Sequence, residues 1–211
     1  MSVIPFYGAD DPAMFAIERR AMDRDGLVIS ALDRVLPSGD VLDVGAGDGF
    51  TARRLATGRR VTGLEPAGAM VRPAGGVRWV LGEAEHLPFA DATFDAAYAT
   101  WAYFFSREWD PTPGIAELDR VVHPGGALAI AENLGGDSFG ALSDDDLSAD
   151  PAFWRAHGFG CEPIETTFRF DDLEEARRLL GFFFGERGRD GATTEVAFRV
   201  GLFTRGSRGP A

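Results

Sequence analysis

A chain of 211 residues with 45% hydrophobic and 26% charged side chains has the composition of an ordinary folded protein, long enough to bury a sizeable core. Its net charge of -12 disfavours a sequence-independent grip on nucleic acid, an affinity that basic side chains on phosphates supply. All 21 basic residues are arginine, so a pyridoxal Schiff base or a Walker phosphate loop has no lysine to carry it, and the single Cys161 with three scattered histidines excludes a disulfide framework and a structural zinc site.

The first residues, MSVIPFYGADD, combine no basic n-region with an apolar h-region, and no apolar run approaches the roughly 18 residues that would span a bilayer. A cytoplasmic protein is expected, with no nucleic-acid or membrane partner and no metal, acting as monomer or homodimer. From Asp11 to Leu36 apolar residues recur at helical spacing, interrupted at Gly26, which predicts one broken helix or two consecutive ones. Pro37-Ser38-Gly39 stops them. Val41 to Val44 reads as a buried strand that runs into the glycine-rich stretch Gly45-Ala46-Gly47-Asp48-Gly49, and Ala52 to Ala56 continues as helix.

Further strands are expected at Arg60 to Leu64, Val77 to Leu81, Phe94 to Thr100 and Ala127 to Ala131, with a helix from Ile115 to Val122 stopped by His123-Pro124-Gly125-Gly126. Beyond Asp150 the pattern gives a short helix at Phe153 to His157, a strand at Ile164 to Phe170, a helix at Leu173 to Phe184 and a last strand at Val196 to Phe203. Alternating β and α elements predict an α/β fold: a doubly wound, seven-stranded, mostly parallel sheet with helices on both faces, an antiparallel last strand and an N-terminal helical cap. No internal repeat or linker divides the chain, so residues 1–211 read as one domain, with a cap at 1–37, a cofactor-binding half at 38–135 and a substrate-side half at 136–211. The tail from Arg205 reads as frayed.

A strand, a glycine turn and a helix N-terminus bring backbone N–H groups towards a ligand, and glycine permits close approach. For a dinucleotide, Gly47, Gly49 and Ala52 fit the G-x-G-x-x-A spacing with Glu65 downstream. Gly45 and Ala46 are then left over. A pyrophosphate would also sit beside Asp43 and Asp48 with no basic residue between Val41 and Thr51, and like charges about 4 Å apart cost roughly 4 kcal/mol at an effective dielectric of 20. The loop suits a ligand carrying positive charge.

The run Asp43-Val44-Gly45-Ala46-Gly47-Asp48-Gly49, the acid Glu65 at the end of the second strand, Gly82-Glu83-Ala84-Glu85 followed by Leu87-Pro88-Phe89, Phe94-Asp95, and Pro124-Gly125-Gly126 together resemble the class I S-adenosylmethionine-dependent methyltransferases, closest to the small bacterial type that acts on small molecules. The likeness covers about Val41 to Ile130 and implies a Rossmann-like fold. By position it implies that Gly45, Gly47 and Gly49 pass beneath the methionine and ribose, with Ala46 among the cofactor contacts, that Asp43 holds the ammonium side, and that Glu65 accepts both ribose hydroxyls. Glu83 and the Ala84 N–H would meet the adenine; Pro66, Thr100 and Trp101 complete the cofactor set.

A sulfonium methyl is already activated, so the transfer needs alignment and exclusion of water more than a base. The segment Thr100 to Phe105 lacks the Asn/Asp-Pro-Pro-aromatic motif of enzymes acting on nucleic-acid amino groups. Its aromatics, with Tyr7, Phe15 and Trp154, suit a small, partly apolar acceptor. Tyr7, Trp101, Tyr103 and Asn133 are the candidate acceptor contacts, and Tyr103, Glu132 and His157 the candidates for orienting or deprotonating the acceptor, with His86 as a further histidine near the adenine loop. Two other readings are an S-adenosylmethionine-binding regulator without catalysis and an NAD(P)-dependent oxidoreductase.

Overall fold

The N-terminal helices begin and end on identifiable signals in the computed structural model, which describes residues 10–73, 75–104, 110–146 and 148–210. Asp11 accepts the Met14 N–H at 2.9 Å and opens α1 (Pro12–Ala21), whose second signal is proline in the first turn. Asp23 accepts the N–H groups of Leu27 and Val28 at 3.0 and 2.9 Å and starts α2 (Leu27–Val35). The expected interruption at Gly26 is the joint between them.

The chain then alternates: β1 (Gly39–Val44), α3 (Phe50–Leu55), β2 (Arg59–Glu65), β3 (Arg78–Leu81), β4 (Phe94–Thr100), α4 (Thr112–Val121) and β5 (Val122–Asn133). After a 3-10 turn at Gly140–Leu142 come α5 (Pro151–Ala156), β6 (Gly160–Arg169), α6 (Leu173–Asp190) and β7 (Glu195–Gly206). These strands form one seven-stranded sheet in the order β3-β2-β1-β4-β5-β7-β6. β1 to β5 pair in parallel, and β7 runs antiparallel to both β5 and β6. This is the Rossmann-like arrangement expected, and the strand order reverses between β1 and β4, where open α/β sheets place their ligands.

Strand alternation divides the core between the two faces. Along β5, Ala129 and Ala131 join Ile17, Leu32, Leu179 and Phe198 on one side, while Leu128 and Ile130 join Leu118, Trp154 and Phe203 on the other. No helix among the described residues is long and apolar enough to cross a membrane.

Two boundaries differ most from expectation. β5 starts at Val122, directly after α4, because Val122 already pairs with Phe94 before the chain passes through Pro124-Gly125-Gly126. α6 continues to Asp190 past a break at Gly185, whose φ of 62° and ψ of -137° only glycine adopts readily.

The tail departs further. Instead of fraying at Arg205, it adds hydrogen bonds: Ser207 N–H donates to Gly126 O at 2.7 Å, Gly125 N–H donates to Ser207 O at 2.8 Å, and Arg205 holds Asp119 through both terminal nitrogens at 2.7 and 2.8 Å. Backbone pairing overrides a composition of glycine, serine and arginine that reads as loop.

Candidate functional site

A cavity of about 600 Å³ lies at the carboxyl ends of β1, β2 and β4, with α1 and α2 as its outer wall. That volume lies in the usual range for a bound small molecule. The glycine loop forms one end. Gly45 and Ala46 donate their N–H groups to Leu64 O at 2.9 Å each, and Gly47 donates to Glu65 Oε2 at 2.9 Å. These amides are spent on β2, so the loop offers its ligand a close-fitting backbone wall in place of the free N–H cradle a pyrophosphate requires.

Gly47 has a φ of +56°, and among the described residues a Cβ there would meet only the Phe15 ring edge, at 3.7 Å, so of the loop glycines this one leaves its Cβ position open to the cavity. The other two are glycine for packing. A Cβ on Gly45 would come within 2.4 Å of Ala102 Cβ, and one on Gly49 within 2.7 Å of the Trp79 ring. Gly45 still lines the cavity; Gly49 does not, because it caps α3 instead.

The three acids of this end have different partners. Asp43 is 1% exposed, accepts the Tyr98 hydroxyl on Oδ2 at 2.8 Å, and its Oδ1 has no partner among the described residues. Burial pushes its carboxyl up to about 7, against the pull of the Tyr98 hydrogen bond, and the nearby Glu65 charge adds to the rise. Glu65 accepts Gly47 N–H on one oxygen and Ala67 N–H on the other, both at 2.9 Å, and burial still raises its pKa. Asp48 is answered by Arg19 of α1 at 2.5 Å. The expected lack of a compensating base therefore holds within residues 41–51 but not in space.

Arg19 also lies over the Phe50 ring at 4.3 Å and the Phe15 ring at 5.3 Å, which ties α1 to the start of α3. Glu83, Ala84 and Pro66 line the cavity beyond Glu65.

Thr100, Trp101 and Tyr103 also line the cavity, together with the apolar side chains of Phe15, Met22, Ile29 and Leu32. Trp101 takes a left-handed backbone conformation, with φ of +45°, which is rare for a bulky side chain. It is held by its N–H on Ala131 O at 3.0 Å, by its indole N–H on Asn133 Oδ1 at 3.0 Å, and by stacking on Phe198 at 6.1 Å. Tyr103 packs its ring edge-on to Phe104 at 5.2 Å and hydrogen-bonds with Glu85. Burial, then the Glu85 charge, push the phenol up to about 12, so it stays neutral at physiological pH.

Asp43, Asn133, Glu132 and His157 lie outside the cavity lining. Asn133 reaches the site through Trp101 and itself lines a second cavity of about 470 Å³. The expected catalytic placement is not met for Glu132: its carboxyl is 1% exposed, accepts the backbone N–H groups of Ala102 and Asn133, and burial holds it well above the usual range. Nor is it met for His157, which closes α5 with Nδ1 2.9 Å from Phe153 O and its ring on Phe153 at 4.3 Å. His86 also stays out of the cavity, bridged to Glu83. Tyr7 lies outside the described residues. Arg19, Glu85 and Tyr98 are the site residues that sequence reasoning missed.

Residues 42–130 match the family described as Methyltransferase domain. The chain is 30% identical over 187 residues to the malonyl-acyl-carrier-protein O-methyltransferase of Pseudescherichia vulneris, covering 78% of this chain and 70% of that one. It belongs to the class I S-adenosylmethionine-dependent methyltransferases. The methyltransferase is also 36% identical over 99 residues to the demethylmenaquinone methyltransferase of Corynebacterium kroppenstedtii, of which it spans 42%. It spans 51% of the O-methyltransferase cnsE of Penicillium expansum, so about half the length of several relatives falls outside the match.

Solved structures agree on the fold of the methyltransferase. The YcgJ protein of Bacillus subtilis superposes with a TM-score of 0.59 at 18% identity, covering 87% of this chain and 97% of that one. Phosphoethanolamine N-methyltransferase 2 of Haemonchus contortus, in complex with S-adenosyl-L-methionine, superposes with a TM-score of 0.62 at 19% identity, covering all of this chain and 61% of that one.

Proposed function

We propose that the protein transfers a methyl group from S-adenosylmethionine to a small, partly apolar acceptor by in-line displacement. The observation that carries this reading is the cavity itself, which is lined both by glycine backbone and carboxylates and by aromatic and aliphatic side chains. The residues present fit the cofactor: Asp43 keeps a buried carboxylate oxygen without a donor among the described residues, and Gly47 leaves its Cβ position open to the cavity. Bound S-adenosylmethionine supplies a methyl already activated on a sulfonium.

The protein's part is binding and alignment. Glu65, already fixed by two backbone amides, would accept the ribose hydroxyls, and Glu83, Ala84 and Pro66 would enclose the adenine. Gly45, Ala46 and Gly47 would lie against the methionine portion, with Thr100 and Trp101 opposite. Tyr103, as a neutral phenol whose proton is donated to Glu85, would orient the acceptor by accepting a hydrogen bond on its oxygen, and Asn133 would keep Trp101 in place. α1 and α2 would exclude water from the reacting atoms. Glu132 and His157 have no role in this reading.

Calorimetric titration with S-adenosylmethionine and S-adenosylhomocysteine, with NAD as control, tests it. Binding of the two sulfur ligands and not NAD is the expected result. NAD binding alone, or no binding by the folded protein, would overturn the reading.

A further inference from the structure

Asp43 and Tyr98 are direct partners in the parallel pairing of β1 with β4, so their side chains leave the sheet on the same face. They are 1% and 0% exposed. A tyrosine in the middle of a buried strand carries a hydroxyl that has to find a partner, and this one donates to Asp43 Oδ2 at 2.8 Å. Asp43 Oδ1, equally buried, has no donor among the described residues. Half of the carboxylate is thus satisfied from within the sheet and half is not, in the residue that immediately precedes the cavity-lining stretch from Val44 to Asp48.

Two titratable groups bear on Asp43: Tyr98 from β4, which favours its ionised form, and Glu65 from β2, which opposes it. Arg59, at the start of β2, bears on the Tyr98 phenol. Burial keeps that phenol well above its ordinary pKa, so it is a donor at any working pH. Replacing the hydroxyl by hydrogen would leave Asp43 with no side-chain donor, and a buried carboxylate without donors takes up a proton.

We propose that Tyr98 is a positioning residue for the cofactor, its hydroxyl holding Asp43 by Oδ2 so that Oδ1 is presented to the α-ammonium end of S-adenosylmethionine, directly or through one water. This rests on the methyltransferase reading and adds to it a residue that never touches the ligand. An ionised Asp43 binds an ammonium better than a protonated one. Affinity for a ligand with that ammonium should therefore fall as pH drops through about 7, and should be full above it.

The test is calorimetry with two ligands over about pH 6 to about pH 8. S-adenosylhomocysteine carries the amino-acid end, and 5′-methylthioadenosine lacks it. In Tyr98→Phe the fall in S-adenosylhomocysteine affinity should move to higher pH by about one unit, which makes binding about fivefold weaker near pH 7 and about tenfold weaker near pH 6. Binding of 5′-methylthioadenosine should be unchanged. An unshifted pH profile, or equal weakening of both ligands, would overturn the proposal, since a merely structural role predicts the latter.

Should Tyr98→Phe fail to fold, Asp43→Asn decides the matter. Its amide still accepts from Tyr98, and the pH step should vanish; a step that persists belongs to another group and removes the basis of the proposal. If the wild-type protein binds neither ligand, the methyltransferase reading itself falls, a result distinct from either of the others.

Discussion

Arg19 of α1 donates to Asp48 of the glycine loop at 2.5 Å, across 29 positions of sequence. The pair is largely shielded, with each side chain 20% exposed, and the guanidinium also covers Phe15 and Phe50. One residue therefore fastens the outer wall of the cavity to its floor. Arg19→Met, which keeps the bulk and removes the charge, should cost about 1 to 2 kcal/mol in urea unfolding, from the lost ion pair and cation–π contacts together. It should also speed amide exchange in α1. Exchange in α1 unchanged from wild type would mean that apolar packing alone holds the helix.

Glu65 accepts two backbone amides, Gly47 N–H and Ala67 N–H, each at 2.9 Å. Its proposed ligand role thus sits on top of a role in shaping the loop. Glu65→Ala should weaken S-adenosylhomocysteine by about 1 to 3 kcal/mol, since the amides and the ribose hydroxyls all lose an acceptor. Glu65→Gln keeps one acceptor oxygen and should fall between. Wild-type affinity in a Glu65→Ala protein that melts cooperatively would remove Glu65 from the site.

The parts of this site that were legible in the sequence are those fixed by local chain geometry. Gly47 after a β-branched strand, Glu65 at the next strand end and Ala84 beyond the third were readable because parallel βα units bring successive strand ends to one edge. What was hidden depends on distant pairing. Tyr98 looks like one more apolar position in its strand until β4 is set beside β1 opposite Asp43. Arg19 gives no local signal for Asp48.

Burial misled in the other direction. Glu132 stands at a strand end, where an acid reads as catalytic, but the side chain is buried outside the cavity lining and serves the Ala102 and Asn133 amides. Ser207 stands in a glycine-rich tail and is buried, its hydroxyl 3.1 Å from Val122 O.

Tyr103 is held as a neutral phenol by burial and by Glu85, with its pKa pushed up to about 12. A residue that orients an acceptor without exchanging a proton should affect turnover and leave the cofactor alone. Tyr103→Phe is expected to lower kcat about tenfold, roughly one hydrogen bond of alignment, with S-adenosylhomocysteine affinity unchanged. Steady-state rates on an acceptor found by product screening give the first number and calorimetry the second. The ratio of wild-type to mutant rate should stay constant from about pH 7 to about pH 9, well below the phenol's own titration. A ratio that changes with pH in that window would mean that Tyr103 gives up its proton.

The fold carries one ion pair whose loss should show at the level of the whole protein. Asp119 on α4 and Arg205 on β7 meet through two hydrogen bonds at 2.7 and 2.8 Å, with side chains 15% and 6% exposed, and Arg208 N–H adds a third at 2.8 Å. Burial pushes the Asp119 carboxyl up, but Arg205, the Arg208 amide and the two arginine charges together outweigh it and leave the pKa below the ordinary value. A carboxyl lowered on folding stabilises the protein above its unfolded pKa of about 3.9, and that contribution disappears as pH falls through the lower folded value. Asp119→Ala strands a buried guanidinium and should cost about 3 kcal/mol at neutral pH. The Asp119→Ala/Arg205→Met double variant should recover part of the loss, because the unpaired charge is gone. Between about pH 5 and about pH 2, Asp119→Asn should lose less stability than wild type, measured by urea unfolding at each pH. If the two curves run parallel through that range, other carboxylates set the acid limb and this pair does not.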